Sequence, residues 1–434
     1  MTDTLHILVA DYVPIANKGE EAIVRGIEDL LSDGRPVALG LFGNVTEVSQ
    51  QGNIKIFPRH WVFRFEGNTR LSGARRVLTQ MAIATQLRLG AYGRLKNFTR
   101  AGDASCRLLQ EFFERAEYVL VGHDGVFCVE SCGIIHLAKQ QGKRTGILGA
   151  SAGIGAGRFY KARLYRKALE ESDFCIFREH YSCESMAQVC RQREKLVVGP
   201  DPAFAMEPVS SDEATGILGQ YESYCRARYA SRPVVAVTVL EKGQVYAGFR
   251  PDLRGSEKSL AHAWYIGAIL DTLVAETEAF VVFLPHSVEG DGSDIVAAQH
   301  VIEQMRSGPN DTMILEEDCG PRLLKGIIRE CDFVIGERTH SLIGSVSVET
   351  PFMALTNRRD TRTHGIIGEM CRCERQIVDM DVTNEQAAAR RALELLQSRA
   401  SIREALSEVN RELAKRLREI ARLVQNTPQS PPGP

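Results

Sequence analysis

Val334-Ile335-Gly336-Glu337-Arg338-Thr339-His340-Ser341 carries an apolar run to a glycine, then places Glu, Arg and His within four residues, just before a helical pattern begins at Ser341. A short apolar, β-branched run bounded by such punctuation predicts a buried strand. Charge directly after it lands at the carboxyl end of a parallel sheet, where open α/β sheets bind ligands. The same alternation extends outward in both directions. Toward the C-terminus, strands are predicted at Val234 to Leu240, Phe280 to Leu284, Met313 to Leu315, Phe333 to Gly336 and Phe352 to Leu355. Helices separate them near Leu260 to Glu276, Asp294 to Met305, Pro321 to Arg329 and Ser341 to Val348. Toward the N-terminus, strands are expected at Leu5 to Ala10, Val37 to Leu41, Ile54 to Phe57, Tyr118 to Val121, Gly146 to Leu148 and Phe174 to Phe177. Helices fall at Glu20 to Leu31, Gly133 to Gln141 and Lys161 to Glu171.

Strands alternating with helices are the signature of βαβ units. The expected fold is therefore α/β, with two Rossmann-like domains whose parallel sheets face a cleft, plus C-terminal helices. The expected divisions are an N-terminal domain over 1–206, a polar connection over 207–231, a C-terminal domain over 232–383, helices over 384–426 and a Pro-rich tail over 427–434. Two segments depart from the rhythm. Residues 59–107 hold ten Lys or Arg against two acids, with an amphipathic pattern from Leu71 to Leu95 that suits either a solvated helix or an anionic surface. Residues 384–424 place Ile402, Leu406, Val409, Leu413, Leu417 and Ile420 at spacings of three and four, which suits docking on the body or dimerisation.

The chain has 434 residues, 44% hydrophobic and 25% charged, which is ordinary globular composition and excludes a wholly disordered or collagen-like protein. With 53 basic and 55 acidic residues the net charge is −2, so no global field points to nucleic acid. Asp3 stands where a secretory signal needs basic residues, and no apolar run approaches the roughly 18 residues of a membrane span. A cytoplasmic location is the expectation. Eleven scattered cysteines, with close pairs only at Cys128/Cys132 and Cys371/Cys373, fit reduced thiols better than a disulfide framework or a zinc site.

Candidate site residues cluster after strands. Asn17-Lys18-Gly19-Glu20 joins the first strand to the first helix. Asn17 and Glu20 suit a capping box, while Gly19 lets backbone N–H groups approach an anion or a sugar. Arg338 can hold a carboxylate or phosphate through two parallel bonds, and His340 can exchange a proton near neutral pH. Phe177-Arg178-Glu179-His180-Tyr181-Ser182 again puts charge after a strand; Arg178 suits either a surface carboxylate or a bound anion, and its place at a strand's carboxyl end favours the anion. Asp201, between Pro200 and Pro202, suits a rigid turn.

In order and spacing these pieces resemble the polysaccharide pyruvyl transferases. Asn17 to Ile23 looks like that family's N-x-G-D-E-A segment with Glu20 in place of Asp. Val119 to Phe127 is similar to its strand and glycine-rich turn, although His123-Asp124-Gly125 stands where consecutive glycines are usual. Arg178 to Ser182 resembles its R-D-x-x-S element with Glu179 in place of Asp, and Asp201-Pro202-Ala203 the stretch closing its first domain. Gly336 to His340 with Pro351 to Leu355 resembles the R-x-H segment and the strand behind it, Arg359 falls near a usual lysine, and Ile367-Gly368 near an L-G.

The resemblance implies the GT-B type of architecture, phosphoenolpyruvate as a co-substrate rather than a cofactor, and a cyclic pyruvate ketal on a sugar as product. A donor with a carboxylate and a phosphate asks for converging cations, for which Arg178, Arg338 and Arg359 are the candidates. His340 is the expected proton carrier. Glu20 or Glu337 would orient it or bind acceptor hydroxyls, Asp124 would bind acceptor hydroxyls, and Asn17 and Gly19 would line the substrate. No step requires a metal. Expected partners are a sugar or lipid-linked oligosaccharide acceptor, an anionic membrane surface touched peripherally by the basic segment, and a second copy of the chain, with no nucleic acid. The other readings open at this stage are a GT-B glycosyltransferase using a nucleotide sugar and a non-catalytic carbohydrate-binding relative.

Overall fold

Runs of Val, Ile, Leu and Phe with no polar residue on either face cannot lie half in water, and in the computed structural model they form strands buried at every position: Tyr118–Val121, Phe174–Phe177, Phe280–Phe283 and Phe333–Gly336. The structure describes residues 4–59, 103–122, 129–152, 159–240, 248–288 and 293–427. The chain divides into two units. The first comprises Met1–Ile15, Ile23–Met206 and Arg416–Pro434, and the second Ala16–Ala22 and Glu207–Lys415.

The first unit holds β1 (Leu5–Tyr12), β2 (Val37–Gly43), β3 (Ser49–Gln51), β4 (Ile54–Pro58), β5 (Tyr118–Val121), β6 (Arg144–Ala150), β7 (Phe174–Phe177) and β8 (Leu196–Val198), in the order β3-β4-β2-β1-β5-β6-β7-β8. All neighbours are parallel except β3 and β4, which pair antiparallel around Gly52, whose φ of +58° suits a residue without a side chain. Helices α1 (Lys18–Leu31), α2 (Asp103–Arg115), α3 (Val129–Gln140), α4 (Phe159–Glu171) and α5 (His180–Ala187) connect them. Phe42, Phe57 and Phe112 meet edge to face or tilted in its core.

After α6 (Ser211–Leu218) and α7 (Glu222–Tyr229), the second unit continues with β9 (Val234–Thr238), α8 (Gly255–Thr277), β10 (Phe280–Phe283), α9 (Asp294–Gln304), β11 (Thr312–Ile314), α10 (Pro321–Arg329), β12 (Phe333–Gly336), α11 (Thr339–Ser347), β13 (Phe352–Thr356) and β14 (Ile377–Asp379). Its sheet is entirely parallel, in the order β11-β10-β9-β12-β13-β14. Renumbered from its own first strand this is 3-2-1-4-5-6, the Rossmann order, and it reverses between β9 and β12. Helices α12 (Glu385–Gln397) and α13 (Arg399–Asn426) close the chain.

The polar stretch expected as a bare connection carries α6 and α7. Ser210 caps the first through the Glu213 N–H (3.2 Å), and only Ala214, Leu218, Tyr224 and Ala227 are buried, too few for a clear helical period. The C-terminal stripe resolves toward docking: Ile402, Leu406, Leu413, Leu417, Ile420 and Val424 are all buried within the monomer. Most of the basic segment, residues 60–102, and the tail from 428 lie outside the described residues. Among the described residues no helix is long and apolar enough to cross a membrane.

Candidate functional site

The second unit's switch point is where its charged residues gather. Gly336 of β12 lies level with Thr238 of β9, and the next N–H, that of Glu337, donates to the Thr238 carbonyl at 3.0 Å. The chain then turns through Arg338 into α11, so that His340 occupies the helix's first turn. Ser341 reaches back to Thr238 through their hydroxyls (2.7 Å), which pins α11 to the strand ends.

Arg338 is held by Asp294, the first residue of α9. Asp294 is 1% exposed, and its other oxygen accepts the N–H groups of His286 (2.9 Å) and Ser287 (3.0 Å), which follow β10. Burial raises the Asp294 carboxyl above its ordinary value, against the pull of Arg338 and those N–H groups. His286 is itself buried. Its Nδ1 lies 3.2 Å from the Leu284 carbonyl, and burial, reinforced by the charges of Arg338, His340 and Lys18, pushes the imidazole down to about 3. It is neutral at physiological pH.

The start of α1 belongs to the same unit. Asn17 pairs with Ser287 in an antiparallel bridge, and the Lys18 N–H donates to the His286 carbonyl at 2.8 Å. Lys18 is nearly buried, with its ammonium 2.5 Å from Asp318. Asn17 accepts the Gly19 N–H through its side chain (3.1 Å), and its carbonyl accepts those of Glu20 and Glu21. Gly19 is required by its neighbour: a Cβ there would overlap the His340 ring, coming within 2.9 Å of its Cγ. Glu20 stands half-buried in the first turn of α1. Arg359, exposed after β13, donates its N–H to Asn357 (2.8 Å). The turn that follows is joined to α11 through the Thr339 and Thr363 hydroxyls (2.9 Å).

The structure thus brings together Asn17, Gly19, Arg338 and His340. It adds Lys18, His286 and Asp294, which sequence reasoning missed. The signal for His286 was present, since it follows the apolar run Phe280 to Leu284 just as Glu337 follows Val334 to Gly336. Asp294 reads in the sequence as an ordinary first-turn acid after the cap Ser293.

Glu337 is buried, with one oxygen accepting the Leu240 N–H (2.8 Å) and the other 2.7 Å from Nε2 of His262 on α8, so this carboxylate secures the end of β9. Arg178 is likewise turned inward. It is 1% exposed, donating to Asp201 (2.9 Å) and to the Ser151 hydroxyl (2.7 Å), with Glu179 at 3.8 Å. Asp201 also caps the turn after it by accepting the Ala203 N–H (2.8 Å). The physical reason lies in the sheet order: β7 stands two strands beyond β5, away from the first unit's own reversal between β1 and β5, so its strand end is packed over instead of open. Asp124 lies outside the described residues.

Two α/β units, each with parallel strands in Rossmann order and the second with polar residues at its reversal, define a GT-B-like protein. Similar solved structures carry the same fold. They include Staphylococcus aureus MnaA with UDP (TM-score 0.53, 12% identity, 99% of each chain covered) and UDP-GlcNAc 2-epimerase from Neisseria meningitidis bound to UDP-GlcNAc (0.51, 10%, 98% of this chain and 99% of that one). An α,α-trehalose 6-phosphate synthase from Burkholderia multivorans is a third (0.50, 12%, 98% of each). No curated protein matches the chain. The family model of polysaccharide pyruvyl transferase matches residues 17–359, and the chain belongs to that family. It is thereby a transferase of the pyruvyl class, with a sugar or polysaccharide as the acceptor the family implies.

Proposed function

We propose that the protein transfers the carbon skeleton of phosphoenolpyruvate to two hydroxyls of one sugar, in a polysaccharide or its lipid-linked precursor, forming a cyclic pyruvate ketal and releasing phosphate. The observation that supports this most is the packing of His340 on the Gly19 backbone, beside an Arg338 held in place by a buried carboxylate. Arg338 and Arg359 are the cations for a donor with two anionic groups. Arg178, enclosed by Asp201 and Glu179, is not among them.

In this reaction His340 gives a proton to the methylene carbon of the donor, and the adjacent carbon takes oxocarbenium character. A sugar hydroxyl attacks that carbon and loses its proton. The carbon–oxygen bond to phosphate then breaks, inorganic phosphate leaves, and the second hydroxyl closes the ring as its proton departs. Cations around the phosphate stabilise the charge that grows on the leaving group.

Mass spectrometry of candidate glycans incubated with phosphoenolpyruvate, together with phosphate release, tests the reaction. Thermal stabilisation by a nucleotide sugar and none by phosphoenolpyruvate would instead support a glycosyltransferase. Flotation with anionic vesicles at low salt checks peripheral membrane contact through the basic segment.

A further inference from the structure

Within the second unit, two separate stretches of chain converge on one carboxylate, and a third is held through one of them. Asp294 accepts the N–H groups of His286 and Ser287 on one oxygen and the Arg338 guanidinium on the other. Those two residues in turn hold the start of α1: the His286 carbonyl accepts the Lys18 N–H, and Ser287 bridges to Asn17. Gly19, one residue further, is the surface on which the His340 ring rests. At 1% exposure Asp294 meets no solvent that could take over these bonds.

From this we infer that Asp294 is a positioning residue for the proposed reaction: it sets the donor-binding Arg338 and, through the His286-Ser287 segment, the Asn17-Lys18-Gly19 backbone that seats His340, so that cation and proton carrier are fixed by the same group. The inference deepens the pyruvyl-transfer reading and rests on it for its kinetic consequence, though not for its structural one. Asp294 itself does not touch substrate. A buried carboxylate with three charge-assisted or backbone hydrogen bonds has little room to move. Its direct bond to Arg338 and its link through His286-Ser287 to the start of α1 would therefore transmit its loss to both sides of the site.

The test is Asp294→Asn, which keeps the shape and removes the charge, read in two ways. Hydrogen exchange followed by mass spectrometry compares wild type and D294N over the peptides containing Lys18 and His286-Ser287. Exchange at the Lys18 amide is expected to rise about tenfold or more, although Lys18 makes no bond to Asp294. A rise confined to His286 and Ser287 would overturn the coupling. In steady-state assays, KM for phosphoenolpyruvate is expected to rise about tenfold or more as Arg338 loses its charged partner, with a smaller loss in kcat. Lower turnover at unchanged KM is what a merely structural residue would give, and it would overturn the role. Wild-type protein that releases no phosphate from phosphoenolpyruvate defeats the pyruvyl-transfer reading alone, and the exchange experiment still decides this one. If D294N lacks a cooperative melt, Asp294→Glu carries both readouts: the longer side chain displaces both the backbone N–H bonds and Arg338, so exchange at Lys18 and KM for phosphoenolpyruvate should both rise, and a rise in neither would overturn the role.

Discussion

Arg178 and Arg338 follow strands of four apolar residues and each precedes a helix, yet the two units use them differently. In the first unit Arg178 is 1% exposed and satisfied by Asp201, Ser151 and Glu179. In the second, Arg338 stays partly accessible, with one carboxylate behind it and His340 two residues on. The difference is where each strand stands. β12 borders the reversal of its sheet, while β7 lies two strands from the reversal of its own. Topology thus decides whether a guanidinium after a strand is enclosed or left partly accessible.

Replacements at the two positions should separate stability from activity, and this contrast carries the largest expected effects. Arg178→Met leaves Asp201 and Glu179 buried without their cation, and should lower stability by about 3–5 kcal/mol, measured by thermal or denaturant melting. His340→Gln should melt within about 1 kcal/mol of wild type while phosphate release from phosphoenolpyruvate falls by about 100-fold or more. Near-wild-type release by folded H340Q removes His340 from the chemistry. A stable R178M with impaired donor binding would erase the contrast between the units.

Acid titration sharpens the comparison with effects of opposite sign. His286 in the second unit has its pKa lowered to about 3 from an ordinary 6.5, so the unfolded chain holds the extra proton between those values. Its favourable contribution is complete above about pH 6.5 and is lost on acidification by up to roughly 1.4 kcal/mol per pH unit. His286→Asn should flatten the melting profile between about pH 4 and 6.5. Glu179 in the first unit behaves the other way. Burial, opposed by Arg178 and Ser182, raises its carboxyl above 4.5, so the folded state holds the extra proton and its contribution falls as pH rises past that value. Glu179→Gln should remove that decline, and an unchanged slope would mean that the carboxylate is as comfortable folded as unfolded.

The smallest expected effect is at Gly19. Alanine there favours the helix by a few tenths to about 1 kcal/mol, but its Cβ forces the His340 ring or the start of α1 to shift, so melting should fall by about 1–2 kcal/mol while kcat falls roughly tenfold. A G19A protein with wild-type turnover would show that the ring does not need its present seat.

Much of the fold was legible because fully buried strands need unbroken apolar runs, and Tyr118–Val121, Phe174–Phe177 and Phe333–Gly336 begin and end where those runs do. β8 and β14 are not among the strands expected from the sequence: each is only three residues long and mostly half-buried, too short for an apolar run to stand out. In the site, Asn17, Gly19, Arg338 and His340 stood out as polar or glycine residues at junctions between strand and helix. Lys18 and His286 sat at equivalent junctions, but nothing local marks a lysine or histidine as buried. Asp294 could not be distinguished from any first-turn acid, because its task comes from Arg338, more than forty residues away in sequence.

The amino-acid order by itself determined the alternation of strands and helices, the parallel character of the sheets and the residues that close each strand, since these depend on neighbours along the chain. Tertiary structure alone decided which strand ends meet a reversal in sheet order. It also decided which charges are consumed by internal partners, as at Arg178 and Glu337, and which carboxylate secures Arg338. Those outcomes depend on groups brought within hydrogen-bond distance by packing, and in a low-dielectric interior such distances decide whether a charge serves the fold or remains for chemistry.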